Sequence, residues 1–143
     1  MGIKKGYGIL KLPFILKKRD VGNFLETVRE KLRNEGEDAL LFKQNRVHEK
    51  ENMKYTNQYC MEKLEYDVGD VMHEIMTLEI SHYLESLNYR KNSQLDLLHV
   101  FIKEIQNHQV YIKLKMKELG DNEMVLCISF HFAEHIVDKL PYG

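Results

Sequence analysis

The chain has no tryptophan, only two prolines and two cysteines among 143 residues, and no apolar run near the ~20 residues of a membrane helix. Two cysteines, Cys60 and Cys127, cannot build a disulfide framework, and a reducing cytoplasm suits them. The lack of repeats and low-complexity segments excludes solenoid and collagen-like chains. A signal peptide fits poorly, because Lys11 and Pro13 interrupt the first apolar stretch and no small-residue cleavage site precedes Lys17. A glycine-rich phosphate loop, a nucleophile elbow and a His-Glu-x-x-His pattern are also missing.

Apolar residues at 43% and charged residues at 30% give the balance of a soluble globular protein, and 17.0 kDa suits one domain with a real core. Charge is unevenly spread. Residues 1–19 carry Lys4, Lys5, Lys11, Lys17, Lys18 and Arg19 with no acid, whereas the rest holds 15 basic against 22 acidic groups. This divides the chain into a basic arm, 1–19, and one acidic domain, 20–143. The arm suits a polyanion or another chain's acidic body, and equally a solvated tail.

The first half has helical spacing. Asp20 is placed to cap a helix through about Asn34, with Val21, Phe24, Leu25, Val28 and Leu32 on one face and Gly36 as its stop. Ala39 to Phe42 reads as a short strand and Arg46 to Lys54 as a charged loop. Thr56 caps a second helix through Leu64, a third runs from about Asp67 to Met76, and a short fourth is expected from Glu79 to Leu87. The period then changes from 3.6 to 2. Residues 97–105 and 109–117 read as strands joined by Gln106-Asn107-His108, and 123–132 as a third strand after Gly120-Asp121-Asn122. The expected architecture is α+β, with N-terminal helices packed on a C-terminal antiparallel sheet.

Strand parity then sorts the side chains. Val110, Ile112, Leu114 and Met116 point one way, and Tyr111, Lys113, Lys115 and Lys117 the other. Simple alternation puts Ser129 and His131 with Val125 and Cys127, opposite Met124, Leu126, Ile128, Phe130 and Phe132. Leu98, Val100 and Ile102 suit the core, leaving His99, Phe101 and Lys103 outside. The outer face is therefore expected to gather Tyr111, Lys113, Lys115, Lys117, Lys103, Ser129, His99 and His131.

Lysines interleaved with an aromatic ring suit single-stranded nucleic acid, since ammonium groups neutralise phosphates and a ring offers a stacking surface. Histidine adds proton transfer near neutrality, and RNA cleavage without metal needs a base, an acid and a cation beside the phosphorane. The same residues have plainer readings. Alternate lysines protect a sheet from edge pairing, His131 suits a strand-end backbone bond, and Tyr111 suits packing under a loop. Cys127, His131 and His135 recur every four residues as metal ligands do on a helix, but they fall in strand-like sequence without a fourth ligand.

Val100-Phe101-Ile102-Lys103-Glu104-Ile105, Val110-Tyr111-Ile112-Lys113-Leu114-Lys115, Ile128-Ser129-Phe130-His131-Phe132-Ala133-Glu134 and Leu140-Pro141-Tyr142 together resemble the MqsR family. Leu64-Glu65-Tyr66-Asp67 through Thr77-Leu78, Tyr83 and the early Phe24-Leu25-Glu26-x-Val28 helix add to the match, which covers roughly 20–142. Members are toxins of bacterial toxin–antitoxin pairs, ribosome-independent mRNA interferases with a RelE-like fold.

The resemblance implies a cytoplasmic, cofactor-free and metal-independent mRNA endoribonuclease acting through 2′-OH attack. Its partners would be mRNA and a cognate, DNA-binding antitoxin, with no membrane. Oligomeric state is left open, a homodimer included. Carried over by position, the catalytic set is Tyr111, Lys113 and His131, and shared strand parity adds Lys103, Lys115, Ser129 and His99 as RNA contacts. Glu85 stands where the family has a lysine, Leu98 near a family glutamine, and Ile102 at a frequent glycine. A non-catalytic protein- or RNA-binding module of the same fold is the alternative.

Overall fold

The computed structural model describes residues 12–44, 53–89 and 96–143. Lys4, Lys5, Lys11 and most of the charged loop expected from Arg46 lie outside them. Helix α1 (Lys18–Glu35) buries Val21, Leu25, Val28 and Leu32 along one stripe. It begins three residues before the expected start, so Asp20 sits in the first turn, beside the positive end of the helix, instead of capping it. Gly36 ends the helix at φ 69°, donating its N–H to the Leu32 carbonyl.

A 3₁₀ turn then delivers β1 (Leu40–Phe42). Helix α2 (Asn57–Leu64) starts where expected, the Thr56 hydroxyl accepting the Tyr59 N–H at 3.1 Å. Helix α3 (Val68–Met76) opens on a reciprocal cap between Asp67 and Asp70. The expected fourth helix is absent: Ile80–His82 is a 3₁₀ turn, and Tyr83–Asn88 is a strand, β2.

Strands β3 (Leu97–Ile105), β4 (His108–Leu119) and β5 (Asn122–Phe132) complete one five-stranded sheet in the order β1-β5-β4-β3-β2. The expected three-strand meander thus gains β2 at one edge and β1, parallel to β5, at the other. Gln106 and Asn107 alone make the β3–β4 turn, both with positive φ (51° and 68°), and His108 already pairs with Ile105. The chain is α+β, with helices on one face of the sheet.

Two registers differ from simple alternation. On β3 the helix-facing residue is Phe101, in the core and opposite Ile112, so Val100 and Ile102 point outward. On β5 a bulge at Ile128 lies between the pairs Lys113–Ser129 and Leu114–Cys127. It flips parity within the strand: Val125, Cys127 and Phe130 all face the core, leaving Leu126, Ser129 and His131 outside. Asn57 of α2 fills the bulge, donating to the Ile128 and Lys43 carbonyls at 3.0 and 2.7 Å and accepting the Phe130 N–H at 2.9 Å.

Part of the basic arm lies along the sheet. Phe14 and Ser86 exchange backbone hydrogen bonds of 3.0 and 2.8 Å, and the Tyr142 hydroxyl donates to the Leu16 carbonyl at 2.6 Å. Among the described residues no helix is long and apolar enough to cross a membrane.

Candidate functional site

The sheet's outer face carries most of the polar residues singled out above, on the neighbouring strands β4 and β5. Tyr111 pairs across strands with His131, and their rings stack with centroids 5.1 Å apart and planes 10° from parallel. Lys113 pairs with Ser129, which is 3% exposed. Directly opposed residues on adjacent strands share a face, so these four form one block. The bulge makes the block possible, because uninterrupted alternation through β5 would turn Ser129 and His131 inward if Leu126 faced out.

His131 is held in one tautomer. Its Nδ1 lies 3.1 Å from the Phe132 carbonyl, which can only accept, so Nδ1 carries the hydrogen and Nε2 is the atom that gains or loses a proton. Tyr111 is driven the other way. Burial, then the negative charge of Glu85, then Tyr89 push its hydroxyl up to about 12, so at neutral pH it serves as a neutral ring and hydrogen-bond partner.

Two residues not foreseen in this role complete the block. Glu85 of β2 pairs with Val100, which pairs with Lys113, so Glu85, Val100, Lys113 and Ser129 make one lateral row. Val100 is 0% exposed although it points away from the helices. Burial raises the Glu85 carboxyl above its ordinary value. Tyr89, just past β2, holds its ring 5.9 Å from the Lys113 Nζ, at the outer range of a cation–π contact. Glu85 was hidden by the expected helix over Glu79 to Leu87, and Tyr89 follows two residues after its expected end. The β-branched enrichment that marks most strands is missing from Tyr83-Leu84-Glu85-Ser86-Leu87-Asn88.

Lys115 shares the face but is ion-paired with Asp96. Gln109, two residues before Tyr111, clamps the C-terminal segment by accepting the Val137 N–H at 2.8 Å and donating to the Val137 carbonyl at 2.9 Å. This segment borders the block at one end.

Two expected members lie on the other side of the sheet. Lys103 pairs with Val110, on the helix side, and all three of its ammonium hydrogens are engaged: the Glu74 carboxylate at 2.8 Å, the Glu74 carbonyl at 3.1 Å and the Thr77 hydroxyl at 2.5 Å. It neutralises the carbonyl end of α3, where a cation is favoured. Burial pushes the Glu74 carboxyl up, but bonds from Lys103 and Tyr66 outweigh it and hold the group below the ordinary range.

His99 is likewise internal, 7% exposed, with its ring 4.4 Å from that of Phe24 and its Nδ1 2.7 Å from the Ser86 hydroxyl. Burial depresses it to about 4, so it is neutral under most conditions. Neither Lys103 nor His99 belongs to the outer block. The triad Cys127, His131, His135 does not converge either, since Cys127 is in the core and His131 outside. Among the described residues, no three metal-ligating side chains gather to hold an ion.

The outer block therefore offers a cation, an imidazole with one defined exchangeable nitrogen, a carboxylate of raised basicity and a stacked aromatic pair. Comparison with family models, with curated proteins and with solved structures finds no match for the chain.

Proposed function

We propose that the outer block binds single-stranded RNA and cleaves it by 2′-OH attack without a metal. The chain would then be the toxin of an MqsR-type toxin–antitoxin pair with a RelE-like fold, acting on mRNA in the cytoplasm and neutralised by a DNA-binding antitoxin. The observation that carries this reading is the Tyr111–His131 stack beside the Lys113–Ser129 pair. Lys113 stabilises charge on the phosphorane, His131 exchanges a proton through Nε2, and Tyr111 braces that imidazole and offers a surface to a base. Lys115 and Ser129 line the same face as secondary contacts.

The test is purified protein incubated with mRNA in excess EDTA. Fragments ending in 2′,3′-cyclic phosphate and 5′-hydroxyl groups are expected, and growth should stop on induction in a bacterial host. Intact RNA in that assay overturns the catalytic reading, and undiminished cleavage by His131→Ala removes that residue from it.

A second reading, a protein- or RNA-binding module that does not cut, is favoured by the pairing of Lys115 with Asp96, which lowers the free positive charge on the face. RNA retained intact on the wild-type protein, or growth unaffected by induction, selects it.

A further inference from the structure

Resting on the nuclease reading above, we infer that Glu85 is the proton acceptor for the RNA 2′-hydroxyl, paired with His131 as proton donor to the departing 5′-oxygen. Transesterification of RNA moves two protons, one off the attacking oxygen and one onto the leaving oxygen. Those oxygens lie on opposite sides of phosphorus when displacement is in line. A single imidazole does not stand on both sides.

The sheet supplies a second group on the same face. Glu85 on β2 and His131 on β5 lie on either side of the β3–β4 pair, with Lys113 and Tyr111 of β4 between them on the same face. Val100, between Glu85 and Lys113 in the row, is a short side chain with 0% exposure despite pointing outward. Tyr111 feels the Glu85 charge, which places the carboxylate within electrostatic reach of the block.

The other carboxylates nearby serve less well. Asp96 is committed to Lys115, and Glu104 is exposed opposite Gln109, at the end where the C-terminal segment is clamped. The burial that raises the Glu85 carboxyl makes it the stronger base. Tyr111, pushed to about 12, is too weak an acid or base for either transfer near neutrality.

The step balances. The 2′-hydroxyl proton passes to a Glu85 Oε, and the freed electron pair forms the O2′–P bond. The P–O5′ bond breaks, its pair staying on the 5′-oxygen, which takes the proton held on His131 Nε2. The products are a 2′,3′-cyclic phosphate and a 5′-hydroxyl, and water returns Glu85 and His131 to their starting forms.

This changes the meaning of a residue that stands where the resemblance expects lysine. The carboxylate is not a repulsive substitution but the missing half of an acid–base pair.

The test is the pH profile of cleavage of a short RNA oligonucleotide by wild type, Glu85→Gln, Glu85→Asp and, as a control at the far end of the β4–β5 hairpin, Glu118→Gln. The wild type should give a bell. Glu85→Gln should lose the acid-side limb and drop kcat roughly 100- to 10,000-fold with little change in KM. Glu85→Asp should keep the limb at reduced kcat, and Glu118→Gln should match the wild type. A Glu85→Gln profile that keeps its acid limb overturns the assignment, as does a Glu85→Asp kcat equal to wild type, which decides the matter if the glutamine variant does not fold. A wild type that cuts no RNA at any pH overturns instead the nuclease reading on which the assignment stands.

Discussion

Asn57 accepts the Phe130 amide hydrogen at 2.9 Å, so a side chain of the helix layer completes the hydrogen bonding of a strand at its bulge. The Asn57 side-chain Nδ2 also donates to the Ile128 carbonyl, and Asn57 is buried. Replacing it with alanine strands two or three buried polar groups, which costs roughly 2–4 kcal/mol. Asn57→Ala should therefore lower the chemical-denaturation midpoint. It should also reduce RNA cleavage below that of a variant equally destabilised at Leu25, far from the bulge, because the bulge sets the side on which His131 emerges. Equal activity of the two would separate the bulge from the site.

The helix-side position of Lys103 separates two lysines that sequence alternation puts together. Lys103→Met should destabilise the fold by roughly 1–3 kcal/mol, since it removes a largely buried partner of Glu74. It should leave the salt dependence of RNA binding unchanged. Lys113→Met should do the reverse, reducing the slope of log K against log salt by about 0.7, the contribution of one single-strand phosphate contact. Fluorescence anisotropy at several salt concentrations reads both, and a reduced slope for Lys103→Met would contradict the register.

Asp96 neutralises Lys115 at the margin of the block. Asp96→Asn should tighten binding to a single-stranded oligonucleotide and steepen its salt dependence, because it frees an ammonium group for phosphate. Unchanged or weaker binding would show that RNA does not approach Lys115.

Acid should act first on the Tyr83–Ser86–His99 chain. The Leu16 N–H donates to the Tyr83 hydroxyl at 3.0 Å, Tyr83 and Ser86 lie 2.7 Å apart, and Ser86 lies 2.7 Å from His99 Nδ1. These contacts tie the buried imidazole to the N-terminal segment, and its burial disfavours the charged form. Its folded pKa, lowered by burial to about 4, is below the ordinary 6.5, so the folded state binds fewer protons between these values. Stability is fully present above about 6.5 and falls with pH toward 4, by up to about 3 kcal/mol from this group. Denaturation of wild type and His99→Asn between pH 4 and 8 should show the wild type losing ground below 6.5, and parallel curves would exclude the mechanism.

Most helices were legible because their signals are local. The Thr56 and Asp67 caps and the Gly36 stop act within one turn of the residue that carries them. The sheet needed information that alternation does not contain. Leu98 to Ile102 is apolar at both parities except for His99, and in the structure both sides of that stretch are buried, so pattern alone does not orient it. The β5 bulge reverses parity partway, and each half taken alone reads as a regular strand. Strand β2 has weak intrinsic preference and forms because β3 and the Phe14 segment pair with it. Tyr111, Lys113, Lys115, Ser129 and His131 do share a face, whereas Glu85 and Tyr89 reach it from a strand that local propensity did not show.

The parallel pairing of β1 with β5 has a consequence for how the chain assembles. Leu40 emerges early in synthesis, yet its neighbour Val125 follows most of the chain. The β3–β4 and β4–β5 hairpins, whose partners are close in sequence, should form on a faster timescale than this closure. Until it happens, β5 presents an unsatisfied backbone edge flanked by apolar side chains, the kind of surface that recruits identical strands during expression. Yield should therefore be more sensitive to temperature and production rate than the finished fold would imply.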